Sequence, residues 1–145
     1  MNPNLIVKDI QKLREKSSNI DIKENLDIIV FNLKLILEQS NGLGLAAIQI
    51  GIPLKIAVVK LENGEKFVMY NTKVLEKEDF VYKMEGCLSF PNKFVKIPRA
   101  KTILIENGDG KKYSFENLEA QIVQHELAHF EGELIIDYET QENGI

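Results

Sequence analysis

The chain has two histidines, and they stand four residues apart around a glutamate in QHELAHFEGEL, residues 124–134. On a helix, residues i and i+4 lie one turn apart on the same face. Two neutral imidazoles so placed, His125 and His129, can both reach one metal ion at about 2.0–2.1 Å. Glu126, one residue past the first histidine, can then reach a water at that ion, so H-E-x-x-H supplies two ligands and one proton carrier. Chance produces this pattern in roughly one chain in 700 of this composition, which favours metal binding over two ordinary histidines.

Two histidines do not complete a catalytic site, because catalytic metals usually take three protein ligands and leave a position open. In one group of metalloproteases the motif runs on to H-E-x-x-H-x-x-G-x-x-H. Gly132 fits that extension, but Ile135 stands at the third-histidine position. In another group a downstream glutamate serves, and Glu139 and Glu142 are the distant candidates here. The remaining soft ligand is Cys87, the single cysteine, in MEGCLSFP, residues 84–91. Most lone cysteines are small buried apolar residues, and taken alone Cys87 reads that way. A thiolate needs a cation or a metal to persist at neutral pH.

Three segments together carry a family resemblance: GLGLAAIQIG (42–51), EGCLSFP (85–91) and QHELAHFEG (124–132). In order and spacing they resemble the three signature motifs of the peptide deformylases, over about residues 22–138. The resemblance implies a Cys-His-His tripod of Cys87, His125 and His129 with water in the fourth place, and Glu126 as the general acid/base. It implies that Gln49 donates its side-chain amide to the developing oxyanion, with the backbone N–H of Leu88 as second donor. Gly44 would present backbone to the substrate peptide as to an added strand. Leu43, Leu118 and Ile122 match positions that line the methionine side-chain pocket, and Glu85 with Arg99 matches a pair that braces the site. The implied reaction is metal-dependent hydrolysis of the N-formyl group from the initiator formyl-methionine of nascent polypeptides, releasing formate. One divalent ion is implied, Fe2+ first, with Zn2+, Ni2+ or Co2+ as substitutes, because such a site binds several divalent ions and availability decides.

General chemistry agrees with these roles. A metal lowers the pKa of bound water to near 7, and a positioned carboxylate can carry that water's proton to a leaving amine. Donors aimed at a tetrahedral oxyanion are worth about 3–4 kcal/mol each. Glycines at 42 and 44 permit a close backbone approach that side chains would block. Two other readings stay open on the residues alone: a zinc endopeptidase with a late glutamate ligand, and a catalytically weak deformylase-derived domain that binds peptides or ribosomes.

The sequence also departs from the family pattern. Ala128 stands where the family usually has Asp, so any hydrogen bond that Asp gives must come from elsewhere. Phe94 stands where an Arg often contacts the substrate. The N-terminal segment lacks the family's Pro-Asp-Pro stretch, and little chain follows LIIDYE for the C-terminal helix common in bacterial members.

These motifs need elements to hold them. Residues 22–39 show helical spacing through Leu26, Ile29, Val30, Leu33, Ile36 and Leu37, with Asp21 and Glu24 as a capping box and Asn41-Gly42 as the stop. β-branched runs flank Asn63-Gly64, a hairpin turn signal. Residues 74–82 and 94–106 are strand candidates, and Asn107–Gly110 marks another hairpin. From Asn117 to about Glu131 the spacing is helical again, with Leu118, Ile122, His125, Glu126 and His129 along one side. Strands and helices segregate, so the expected class is α+β: mostly antiparallel sheets packed around a central metal-binding helix, with an N-terminal helix.

Length and composition set the outer bounds. The 145 residues suggest one catalytic domain, and 44% hydrophobic with 28% charged residues is globular. With a net charge of −4 and no polybasic run, a nucleic-acid footprint is not indicated. A lone cysteine fits a reducing compartment, and no stretch approaches the ~20 apolar residues of a membrane span. The expected partners are formyl-methionyl nascent peptides and, as a candidate, the ribosome, with the chain acting as a monomer. The expected location is bacterial or phage-infected cytoplasm, with an organelle as the alternative.

Overall fold

A run of β-branched and small residues, Ile56–Lys60, has Ile56, Ala57, Val58 and Val59 fully buried and forms the middle strand of a sheet. A computed structural model describes residues 5–21 and 25–139. In it β1 (Gly44–Ala46), β2 (Ile56–Lys60) and β3 (Lys66–Tyr70) make one antiparallel sheet in that order. A second antiparallel sheet orders β4 (Lys73–Cys87), β5 (Phe90–Glu106) and β6 (Lys112–Glu116). β1 and β4 are therefore outer strands. With helices α1 (Ile10–Leu13), α2 (Leu26–Glu38) and α3 (Asn117–Phe130), the class is α+β with antiparallel sheets, as expected.

Both expected hairpins form, by the same device. The N–H of Gly64 donates to the Leu61 carbonyl at 3.0 Å, and that of Gly110 to the Asn107 carbonyl at 2.9 Å. Both glycines have left-handed φ, +90° and +80°, which side-chain-bearing residues rarely adopt. Asn63 and Asp109 accept from the N–H two residues on. Asn63-Gly64 thus ends a three-residue loop with a glycine bulge, not the centre of a two-residue turn.

β4 and β5 exceed the expected strands because they run on through the cysteine segment. Pairing does slip there: Glu85 faces Val95, but Cys87 faces Phe90, so β5 carries extra residues around Pro91–Lys93. Such a bulge re-aims a strand end, and it leaves Cys87 beside the two-residue tip, Leu88-Ser89.

α2 buries Ile29, Leu33, Ile36 and Leu37, the spacing of one helical face, against Leu45, Ile56 and Val58 of the first sheet. Its N-cap is Asn25, left-handed at φ 51° with no side-chain cap bond. Asn25 therefore takes the place expected for the Asp21–Glu24 capping box, and Glu24 lies outside the described residues. The helix ends at Glu38, just short of Asn41-Gly42.

α3 matches the expected range and packs against β5, β1, β6 and β2, between the sheets. Val123 and Phe130 join Met69, Ile103 and Ile105 in that core. Gln124 fixes the helix to β5: its side chain accepts from the Ala100 N–H and donates to the Ala100 carbonyl, both at 2.9 Å. At the other end, the Ser17 N–H donates to the Phe130 carbonyl at 2.9 Å. Gly132, at φ +75°, follows the helix, and a Cβ there would lie 2.2 Å from the Arg14 carbonyl oxygen. This glycine is a helix-stop residue pressed against the N-terminal segment, not part of an extended protease motif. Among the described residues no helix is long and apolar enough to cross a membrane.

Candidate active site

The first histidine is fixed by strands far away in sequence. His125 Nδ1 lies 2.8 Å from Glu85 Oε1. Arg99 donates to the same carboxylate twice, Nε to Oε2 at 2.6 Å and Nη2 to Oε1 at 2.8 Å. Antiparallel pairing of β4 with β5 puts Glu85 and Arg99 on one face, and both are buried. Burial opposes the Glu85 charge, but the bonds from Arg99 and His125 outweigh it and hold the carboxyl down at about 2. Glu85 lines the cavity, yet both its oxygens are committed to Arg99 and His125, so its visible task is to orient the ring.

With Nδ1 so engaged, His125 has Nε2 left for a ligand. Ligand atoms of Cys87, His125 and His129 all lie within 4.8 Å of one another. The Cys87 Sγ is 3.5 Å from His129 Nε2, and the two imidazole centroids are 4.9 Å apart. Three donors at this spacing suit one small ion with bonds of about 2.0–2.3 Å. His129 is buried, and its Nδ1 has no hydrogen-bond partner among the described residues. Burial, reinforced by the charges of His125 and Arg99, pushes its pKa well below the usual histidine range, so it offers a lone pair. Burial acts the same way on His125, but Cys87, Glu85 and Glu126 overcome it and raise that pKa, so a metal entering here would displace a proton.

Glu126 is buried, and its Oε1 has no partner among the described residues. Burial raises its pKa to about 7, with the Glu85 charge adding and His125 and Arg99 opposing. A carboxyl poised there can both take and give a proton near neutrality. Gly44 lies close against it, since a Cβ on Gly44 would stand 2.5 Å from Glu126 Oε2.

Gln49 sits in a 3-10 turn, Ala47–Ile50, directly after β1. Its Oε1 accepts from the Ala46 N–H at 3.0 Å. That bond points Nε2 the other way, to Ser89 Oγ at 3.2 Å and Cys87 Sγ at 3.5 Å. The amide donor therefore faces the tripod.

A cavity of about 530 Å³ joins these groups. Leu43, Gly44, Gln49, Glu85, Cys87, Leu88, Leu118, Ile122, His125 and Glu126 all line it, while His129 lies buried behind. The residues that the family resemblance singled out thus meet in one place. Glu139, the distant alternative ligand, instead pairs with Lys93 at 3.0 Å, and Glu142 lies outside the described residues. Two supporting residues were missed. Ser89, buried within the cysteine motif, and Gln124, directly before His125, are legible only as polar residues inside apolar surroundings.

A family model described as polypeptide deformylase matches residues 4–143. The chain belongs to the polypeptide deformylase family. Its members are metal-dependent hydrolases of the formyl group on new polypeptides, and this chain is one of these enzymes. A peptide deformylase of Dictyoglomus turgidum is 36% identical over 94% of this chain and 85% of its own length. Peptide deformylase 1 of Clostridium perfringens is 35% identical over 94% and 97%. A crystal structure of a probable peptide deformylase from Synechococcus phage S-SSM7 superposes with a TM-score of 0.80 at 36% identity, covering 92% of this chain and 96% of that one. The endopeptidase and pure-binder readings have no such support.

Proposed function

We propose that this chain removes the formyl group from the initiator methionine of nascent polypeptides, with Cys87, His125 and His129 holding one ferrous ion. The observation that carries this is the meeting of a sulfur from β4 with two imidazoles of α3, beside a buried carboxyl whose pKa is near 7. A divalent ion bound there supplies a Lewis acid that acidifies water.

The chain's own groups do the rest. Glu126 takes the proton of the water that adds to the formyl carbon. The Gln49 amide and the Leu88 N–H donate to the carbonyl oxygen as charge gathers on it. The C–N bond breaks, formate leaves, and Glu126 returns the proton to the methionine amine. Leu43, Leu118 and Ile122 take the thioether side chain. The cavity runs between the outer strands β1 and β4, from Gly42–Gly44 to Met84–Leu88. That supports an extended peptide bonding along Gly44 as an added strand.

The tripod, Glu126 and Gln49 are brought together by contacts within this chain, so the reading is of a single catalytic domain that acts as a monomer. Its substrate is met as it leaves the ribosome, in bacterial or phage-infected cytoplasm or in an organelle that starts translation with formyl-methionine. The test is formate release from formyl-Met-Ala-Ser by anaerobically prepared, iron-loaded protein. Glu126→Ala should keep its metal and lose activity by about 10²–10⁴-fold, and Cys87→Ala should lose stoichiometric metal. Equal formate release by the wild type and Glu126→Ala would sink the reading. Higher activity with zinc than with iron would remove the ferrous assignment alone.

A further inference from the structure

The outer strand β4 leaves an apolar stripe uncovered. Alternation along a strand puts Phe80, Tyr82, Met84 and Gly86 on one face, and these three side chains are 60%, 71% and 55% exposed. Across the pair, Tyr82 faces Pro98 and Met84 faces Lys96. Phe94, 68% exposed, packs against Gly86, where an added Cβ would sit 2.9 Å from its ring. Contiguous exposed apolar surface of this kind marks an interaction site in most soluble proteins. The opposite face of the same strands holds Glu85 and Arg99 and is spent on the site.

This stripe is continuous with the catalytic cavity. Met84 and Phe94 line the cavity wall, and Phe80 and Tyr82 extend the same face away from it. Asp79, at a left-handed φ of +61°, directly precedes Phe80 in the same continuous strand. From Gly86 to Phe80 the track spans six residues, about 20 Å at the rise of a strand. An outward apolar pair on α2, Ile28 and Phe31, is similarly exposed but does not line the cavity.

We propose that this stripe is a docking track for the substrate's own chain, taking apolar side chains of the residues that follow formyl-methionine out of the cavity. The inference rests on the deformylase reading above and adds to it a preference set outside the cavity. The bound chemistry is an extended peptide whose alternate side chains are apolar and face Phe94, Met84, Tyr82 and Phe80 in turn. Lys96 lies along the stripe with its stem available for packing and its charge in water. No step of the hydrolysis changes. The track shortens the search by holding the chain while its N-terminus enters.

The test uses formyl-Met-Ala-Ser and two nine-residue formyl peptides that share this start. One has leucine at positions five, seven and nine, and the other has serine there. The leucine peptide should show a KM about fivefold lower than the serine peptide, with kcat unchanged, as expected for partly burying apolar side chains. The double substitution Phe80→Ser/Tyr82→Ser should abolish that difference and leave formyl-Met-Ala-Ser turnover as it was. Phe31→Ser, the off-track control, should preserve the difference. Equal KM values for the two long peptides, or a difference that survives the double substitution, overturns the track. Wild-type protein that sediments as a dimer, and becomes monomeric with the double substitution without any peptide-length effect, assigns the stripe to a second copy and overturns it too. Absence of turnover on formyl-Met-Ala-Ser itself strikes the deformylase reading first, and the track with it.

Discussion

His125 and His129 stand one turn apart on α3, yet the molecule holds them by different means. His125 is gripped from outside its helix, by the buried Glu85–Arg99 pair on β4 and β5. His129 is held by the helix and its packing, with Nδ1 lacking any partner among the described residues. One imidazole is oriented by electrostatics and the other by burial, and their pKa values move in opposite directions. Two residues that look equivalent in a motif thus depend on different parts of the chain. Damage to the second sheet should reach the site through His125 and through Cys87, which β4 itself carries, while His129 should follow the integrity of α3.

The strongest way to break this contrast is at Arg99. Arg99→Leu leaves Glu85 as a buried, half-compensated charge, which should cost about 3–5 kcal/mol in urea unfolding. An unchanged midpoint would mean that the second sheet does not carry the site's electrostatics. Acid offers a related measurement on metal-stripped protein. The folded pKa of Glu85, about 2, lies below its ordinary 4.5. Its contribution is therefore complete above pH 4.5 and lost as pH falls toward 2. Wild type should lose on the order of 3 kcal/mol relative to Glu85→Gln across that window. Parallel stability curves for the two proteins would contradict the assignment.

Gly44→Ala sharpens the contrast from the helix side. Its methyl would meet the Glu126 carboxylate and Ile122 and displace the proton carrier. Formate release should fall about a hundredfold while metal content stays at the wild-type level, and lost metal would show that β1 also positions the ligands. The smallest effect is expected from Glu85→Gln at neutral pH. It keeps the shape but not the charge behind His125, and should weaken metal affinity about 10–100-fold in a competition titration against a chelator.

Much of the site was legible from residue types. The spacing of His125, Glu126 and His129 needs only a helix to become a site, and helical periodicity is local. Ile29, Leu33, Ile36 and Leu37 declared the buried face of α2 for the same reason. The cysteine segment was harder. Gly86 and Pro91 mark a break in the strands, but whether a break ends a pairing or only bulges it depends on the partner strand's register. Asn25 could not be foreseen as the cap, because it sits in left-handed backbone and makes no side-chain cap bond, so the usual capping signal is absent. The short strand β1 and the turn carrying Gln49 were hidden by small residues, which suit several backbone states.

By itself the sequence determined the chemistry this protein has available: one thiol, two imidazoles on one helical face, a carboxyl between them, and glycines where backbone must come close. Only the tertiary structure decided how these groups behave. Burial sets the protonation of Glu126 and His129, and burial is a property of the packed sheets. The pairing of β4 with β5 brings Glu85 and Arg99 to His125, and the slip in that pairing delivers the sulfur of Cys87 to α3. Charge and orientation at the site depend on distances across the fold, which no local pattern encodes.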